Sequence, residues 1–155
     1  MTWVDVVDTA VKVGLGALIS AISGFLVLAR SQAHENDKEA KVYFYKAQEE
    51  KKLKYVEFLA QSLELIQTHL SSSARPDSDE YRKYLRAFNE VQIISDDNIR
   101  IAAHNLASDV GVFIFISKSQ DDFQPVKDMA KSARDKAGIF LKLAQIEVTK
   151  SYQKT

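Results

Sequence analysis

The stretch from Val13 to Ala29 decides how the rest of the chain is interpreted. It reads VGLGALISAISGFLVLA and contains no charged residue. As a helix it spans roughly 25 Å, slightly less than the roughly 30 Å hydrocarbon core of a bilayer. Extending the helix back toward Trp3 supplies the missing length, because Lys12 can reach the headgroups along its own stem. We therefore predict a transmembrane helix over residues 1–30.

Two alternatives compete with a membrane span. A cleaved signal peptide favours a basic start, whereas Asp5 and Asp8 make this start acidic. A buried or interfacial helix would suit the glycines and serines that dilute the hydrophobicity of the stretch. The length of the uncharged sequence favours the span.

The charges that flank the span predict its orientation. Arg30, Lys38 and Lys41 follow it, whereas Lys12 is the basic residue on the other side. Basic residues collect on the cytoplasmic side of a membrane. We expect a single-pass protein of the inner (cell) membrane with its C-terminal domain in the cytoplasm.

Small residues within the span recur at every fourth position, namely Gly16, Ser20 and Gly24. This spacing places them on one face of a helix, where they let a second membrane helix approach closely. Small residues are also common in spans that do not associate. We expect self-association through this face, and hence a homo-oligomer.

The chain beyond the span predicts helices. Residues 31–52 are mostly charged and predict a juxtamembrane neck helix, and residues 53–155 follow as a cytosolic domain. The chain contains only five Gly and two Pro, so few residues interrupt helices, and 46% hydrophobic residues suffice for a core. The predicted fold class is all-α, with one N-terminal transmembrane helix followed by a cytosolic bundle of about four helices.

Apolar residues at helical spacing outline the four segments of this bundle. Capping residues precede the last three segments, as Ser78 or Asp79, Ser95-Asp96-Asp97, and Asp121-Asp122. The predicted buried stripe of the first segment is Leu53, Val56, Leu59, Leu63, Ile66 and Leu70. Those of the others are Tyr81, Tyr84, Leu85, Phe88, Val91 and Ile94; Ile99, Ala102, Ala103, Leu106, Val110, Phe113 and Ile114; and Phe123, Val126, Met129, Ala133, Ala137, Phe140, Leu141, Ala144 and Val148.

One short run allows two structures. Val112 to Ile116 reads VFIFI, a composition rich in the β-branched and aromatic residues of strands. Polar residues shortly before it exclude a second membrane span. A buried helix end is the favoured interpretation, and a short strand stays open.

The sequence predicts no catalytic or metal chemistry. The chain has no Cys, and its histidines, His34, His69 and His104, lie far apart without HExxH spacing. Phosphate-binding, dinucleotide-binding and nucleophile-elbow motifs are missing from the sequence. We expect no enzyme activity, no catalytic or metal-binding residue and no cofactor.

Charge patterning marks candidate binding residues. The 21 basic and 21 acidic residues cancel, which argues against double-stranded nucleic acid as a partner, yet residues 126–155 hold seven basic and three acidic residues. Candidate ligand-binding residues share helical spacing: Arg82, Arg86 and Asn89; Arg100, His104 and the adjacent Asn105; and Lys127, Lys131 and Arg134. Gly138 extends the last stripe and leaves backbone open for a phosphate. An ordinary solvated face is the plain alternative for each stripe.

The layout resembles a known family. A span with small residues (GLGALISAISG), a charged neck and a helical cytoplasmic domain without catalytic motifs is similar to the small transmembrane effectors of type III CRISPR systems. The resemblance covers the whole chain in layout and includes no short diagnostic motif. It implies an antiviral protein whose cytosolic domain binds a cyclic oligoadenylate, typically cyclic tetra-adenylate, and whose oligomer then perturbs the lipid bilayer.

This resemblance also implies roles for the candidate residues. A fourfold ligand favours a tetramer in which each subunit makes equivalent contacts. The cations of the three stripes would contact phosphates, and Asn89 or Asn105 would contact adenine edges. The rival interpretation is a membrane-tethered helical scaffold or partner-docking protein without a nucleotide ligand.

Overall fold

A computed structural model describes residues 3–118 and 123–153. The side chains of all of these residues are described except those of residues 3–22 and 123. The described residues form four α-helices and no strand, which confirms the all-α class and the helical bundle. Helix α1 is Trp3–Thr68, α2 is Asp79–Ile94, α3 is Asp97–Phe115 and α4 is Phe123–Val148.

Two of the predicted caps are confirmed. The Ser78 hydroxyl accepts a hydrogen bond from Tyr81 N at 3.3 Å at the start of α2. The Asp96 carboxylate does the same for Ile99 N at 3.2 Å at the start of α3. Each cap satisfies one backbone donor that the first helical turn leaves without a partner. The third predicted cap, Asp121-Asp122, lies outside the described residues.

The helices of the bundle run antiparallel to their neighbours. Lys54 of α1 is paired with Glu90 near the end of α2, and Gln92 of α2 donates to the carbonyl of Arg100 near the start of α3. Asp109 of α3 contacts Lys136 of α4. Helix α4 then returns along α1, which completes an up-down-up-down bundle.

Aromatic rings occupy the middle of the core. The fully buried Phe58 of α1 stacks on Tyr84 of α2, with centroids 5.5 Å apart. It also meets Phe140 of α4 edge to face at 5.2 Å. The small Ser62, one turn beyond Phe58, donates its hydroxyl proton to the Phe58 carbonyl and lies 3.3 Å from the Tyr84 hydroxyl. A small residue there leaves room for the large rings.

Helix α3 buries the face that its sequence predicts. Its buried residues are Ile99, Ala102, Ala103, Leu106, Val110, Phe113 and Ile114. The VFIFI run is helical through Phe115, so the helix interpretation is confirmed and the strand alternative is wrong. A helix end satisfies its backbone groups locally, whereas a strand here would find none to pair with in an all-α core.

Helix α1 buries a different face from the predicted one. Leu53 is 67% exposed, Val56 59% and Leu63 42%, and Leu70 is also exposed. Of that predicted stripe, Ile66 is fully buried and Leu59 is half-buried. The face that packs inward contains Gln48, Tyr55, Phe58, Ser62, Leu65 and His69. Burying the two aromatic rings removes more apolar area from water than burying the leucines would, so the helix turns its rings inward.

The other predicted stripes need smaller corrections. In α2, Tyr84 and Val91 are buried, but Leu85 is exposed and Ala87 takes its place in the core. In α4, Leu141 is 52% exposed, and Ala130 is buried although its small side chain is not part of the predicted stripe. Phe123 has no described side chain.

The chain divides into two compact units. One contains residues 1–44 and 153–155, and the other contains Tyr45–Tyr152 with the core described above. In the first unit, the described side chains of Phe25, Leu26, Val27 and Leu28 are all more than half exposed.

Residues 13–22 of the predicted span, Gly16 and Ser20 among them, have no described side chains. Gly24 is described and exposed, and a Cβ there would meet no atom within 4 Å. Where side chains are described, no helical stretch is long and apolar enough to cross a membrane.

Candidate functional site

The predicted ligand-binding residues lie on three helices and are all exposed. Arg82, Arg86 and Asn89 are on α2, Arg100, His104 and Asn105 are on α3, and Lys127, Lys131 and Arg134 are on α4. Helices α2 and α4 both pack on α3. Among the contacts of the described residues, Arg82 pairs with Asp79 of α2 and Arg134 with Gln67 of α1, and none joins these two sets of cations to each other.

The α2 cations line a shallow hollow. Asp79, Arg82, Lys83 and Arg86 surround a volume of about 330 Å³. Arg82 Nη1 lies 3.4 Å from Asp79 Oδ1, so one carboxylate offsets part of the positive charge. The hollow can accept an anion from solvent.

The α3 residues make local contacts. The Arg100 guanidinium is paired with Asp97, three residues earlier in the same helix. The His104 ring lies 6.5 Å from the Phe88 ring, measured between centroids. The first contact lies within α3, whereas the second joins α3 to α2.

The α4 stripe lies beside α1. Arg134 Nη2 donates to Gln67 Oε1 of α1 at 3.4 Å. Lys131 lies one turn before Arg134, and Gly138 lies one turn after it with open space where a side chain would be. This stripe therefore forms one edge of the α1–α4 face.

The same face contains a groove that the sequence interpretation missed. Its volume is about 340 Å³. Its lining residues come from two helices: Lys52, Tyr55, Val56 and Leu59 from α1, and Phe140, Leu141, Ala144, Gln145 and Val148 from α4. The sequence contains one signal of this groove, the regular apolar stripe of α1, but the sequence analysis assigns that stripe to the core.

The groove has a closed floor and an open apolar rim. Phe140 and Tyr55 at the floor are almost fully buried, whereas Val56 and Leu141 at the rim are each more than half exposed. Leu53 and Leu63 carry the apolar surface along α1 on either side of Val56. Exposed apolar surface around a recess is the usual composition of a site that binds a protein segment or an apolar ligand.

A polar network fixes one end of the groove. Gln48 Nε2 of α1 donates to the Glu147 carbonyl of α4 at 3.1 Å. The Glu147 carboxylate accepts from Lys51 at 2.7 Å and from Lys150 at 2.5 Å. Burial raises the pKa of Glu147, but the bonds from Lys150 and Lys51 outweigh burial and lower the pKa to about 2. The ionised carboxylate therefore holds α1 against α4 at neutral pH.

The described residues contain no cluster of three or more His, Asp or Glu side chains that could hold a metal ion. Comparison of the chain with models of protein families, with curated proteins and with solved structures gave no match. The geometry of the chain is therefore the basis for assigning a function.

Proposed function

We propose that this chain is a membrane-anchored helical docking protein, in which the α1–α4 groove binds a segment of another protein. The observation that carries the proposal is the exposure of the apolar α1 stripe beside the groove. Leu53, Val56 and Leu63 are all exposed although they recur at helical spacing. A single exposed leucine is ordinary, but a row of them along a recess is typical of a binding surface.

The energetics agree with this interpretation. Transfer of a large aliphatic side chain from water into an apolar contact contributes about 1.5–3 kcal/mol. Docking a helix on the groove would cover Val56, Leu141 and the neighbouring leucines together. A few such contacts are enough for a specific complex, even after the cost of association.

The anchor is part of the same proposal. The uncharged stretch from Val13 to Ala29 inserts in the bilayer, and the bundle lies in the cytoplasm. Supporting this, Phe25 to Leu28 at the end of that stretch are exposed in the single chain. Lipid or a second helix would cover them.

Site-specific photocrosslinking in living cells tests the docking role. A photoreactive amino acid replaces Val56 in the groove, and a matched variant carries it at Ile101, which is 60% exposed on α3. We expect discrete protein adducts from position 56 and none from position 101. Adducts from neither position, or equally from both, would contradict the proposal.

The mass of the adduct identifies the kind of occupant. An adduct of twice the chain mass would identify a second copy of this protein in the groove. The groove would then serve self-assembly and not the binding of a different protein. Any other discrete mass supports the docking role as proposed.

A second candidate function is the cyclic oligoadenylate effector, favoured by the α2 hollow. There Arg82, Lys83 and Arg86 gather around one carboxylate, Asp79. Guanidinium groups suit phosphates because they form paired, charge-assisted hydrogen bonds. In a tetramer, four such hollows around one axis would meet a cyclic tetra-adenylate, and the ligand would favour the arrangement of spans that perturbs the membrane.

Thermal unfolding of the full-length chain with and without cyclic tetra-adenylate tests this second function. A ligand at 100 times its dissociation constant stabilises by about 2.7 kcal/mol. We expect the stabilisation to vanish in R82E/R86E and to persist in K131E/R134E, which makes the same charge change on α4. If the wild-type protein shows no shift at high ligand concentration, this candidate is removed.

A further inference from the structure

The α1–α4 face combines its apolar groove with a net positive charge along one edge. Lys52 lines the groove, and Lys131, Arg134 and Lys142 follow α4 along its edge at helical spacing. Carboxylates also accompany these cations: Glu49 is 3.7 Å from Lys52, and Asp128 and Asp135 lie three residues before and four residues after Lys131 on α4. The face is therefore apolar in its recess and net positive along the α4 edge.

The cations on α4 keep their charge available. Arg134 bonds to the neutral amide of Gln67, which leaves the guanidinium charge uncompensated. Lys131 and Lys142 are exposed and have no ion-pair partner in the described part of the chain. Positive charge on an open edge attracts an acidic partner and orients it during association.

The shape of the face selects among acidic partners. A recess between two antiparallel helices accepts a third helix, whose side chains fill it as a ridge fills a groove. A bilayer surface is too flat to reach the buried Phe140 and Ala144 at the floor. The apolar edge from Leu53 to Leu63 extends roughly 15 Å, which matches about three turns of a bound helix.

We infer that the partner segment is an acidic amphipathic helix of another protein; this inference rests on the docking function proposed above. Its apolar residues, at i, i+3 or i+4 and i+7, occupy the groove between Val56 and Leu141. Its Asp or Glu residues lie along the edge formed by Lys131, Arg134 and Lys142. This is the helix-in-groove mode of recognition with the charges of the two surfaces complementary.

The groove is prepared for such a helix before binding. Lys51 and Gln48 fasten α1 to Glu147 of α4 beside the groove residues Ala144 and Val148. Fixed walls lower the conformational entropy that binding must remove. The bare backbone at Gly138 also leaves the α4 edge open to a close approach.

Peptide binding to the full-length chain in a mild nonionic detergent tests the inference. Two fluorescent peptides of about four helical turns carry identical leucines at i, i+3 and i+7 and differ in their flanking residues, Glu in one and Lys in the other. By fluorescence anisotropy at about 0.1 M salt, we expect the Glu peptide to bind about tenfold or more tightly than the Lys peptide.

Charge-reversal variants locate the charged edge. K131E/R134E should weaken binding of the Glu peptide by about tenfold, whereas the matched pair R82E/R86E on α2 should leave it unchanged. Val56→Asp should abolish binding of the Glu peptide, because it places a charge at the apolar rim. Equal affinities for the two peptides, or equal effects of the two double variants, would overturn the inference.

The remaining outcomes separate this inference from the proposed function. If neither peptide binds but the Val56 crosslinks form, the acidic helix is the wrong partner while the docking function stands. If peptides and crosslinks both fail, both proposals fall. If phosphatidylglycerol in the micelles displaces the Glu peptide and zwitterionic lipid does not, the face binds anionic lipid and the inference is wrong.

Discussion

Glu147 shows how a single residue holds two helices together. Its side chain is only 7% exposed, and Lys51 and Lys150 supply the two bonds that compensate for its lost hydration. A buried carboxylate without such partners would be protonated or would expel the helix end. The residue therefore makes the contact of α1 with α4 depend on its charge.

We expect Glu147→Gln to lower the free energy of unfolding by about 1–3 kcal/mol at pH 7, because hydrogen bonds to a charged group are lost. The folded-state pKa of Glu147 is about 2, below its ordinary value of 4.5. Its stabilisation is thus complete above pH 4.5 and is lost as the pH falls toward 2. The difference in the free energy of unfolding between wild type and variant should therefore shrink to zero as the pH falls from 4.5 toward 2, as measured by urea unfolding.

Glu90→Gln is the matched control for this variant. Glu90 is paired with Lys54 at 2.6 Å, but both side chains are more than a third exposed. An exposed pair contributes at most about 1 kcal/mol. Equal losses in the two variants, or a gap at Glu147 that is independent of pH, would refute the role given to Glu147.

At the scale of the element, α4 carries a glycine that its own stability does not require. Gly138 lies in the middle of the helix with negative φ, and a Cβ there would meet nothing within 4 Å. Glycine in a helix interior costs about 0.5–1 kcal/mol relative to alanine. Its open position on the α4 edge is compatible with the docking function proposed above.

Gly138→Ala should therefore raise the free energy of unfolding by about 0.5–1 kcal/mol, measured by urea denaturation. Gly111→Ala in α3 is the control, because a Cβ at Gly111 also meets nothing within 4 Å and Gly111 lies away from the groove. We expect the same gain from both. A loss of stability at Gly138 alone would mean that its neighbours leave no room for a side chain.

At the scale of the whole molecule, the proposed anchor places the N-terminal stretch in the membrane. The full-length protein should stay with the membrane pellet after carbonate washing, since about twenty apolar residues suffice for a span. Leu18→Arg should shift the protein toward the supernatant, because an arginine near the centre of a span costs about 2.5–3.5 kcal/mol. Thr9→Arg is the matched control and should stay in the pellet, because Thr9 lies one turn before Lys12 and an arginine there can reach the headgroups along its stem as Lys12 does. A wild-type protein that is fully released by carbonate would contradict the anchor.

Part of the fold was predictable because local physics decides it. Few glycines and prolines predicted helices, and Ser78 and Asp96 predicted two helix starts that the structure confirms. The buried face of α3 was predictable as well, since its buried apolar residues recur at helical spacing along one face. The sequence also shows the cationic stripes, but only the structure shows that the α4 stripe lies beside α1.

Sequence alone thus determined the all-helical class, the capped helix starts and the inward face of α3. Only the tertiary structure decided which face of α1 is buried. Helix α1 has two apolar faces, and packing against the neighbouring helices determines which of them is removed from solvent. Phe58 packs against Tyr84 and Phe140, so the leucine stripe of α1 remains exposed to solvent. That choice created the groove, whose walls come from residues far apart in the chain and meet only when α4 packs on α1.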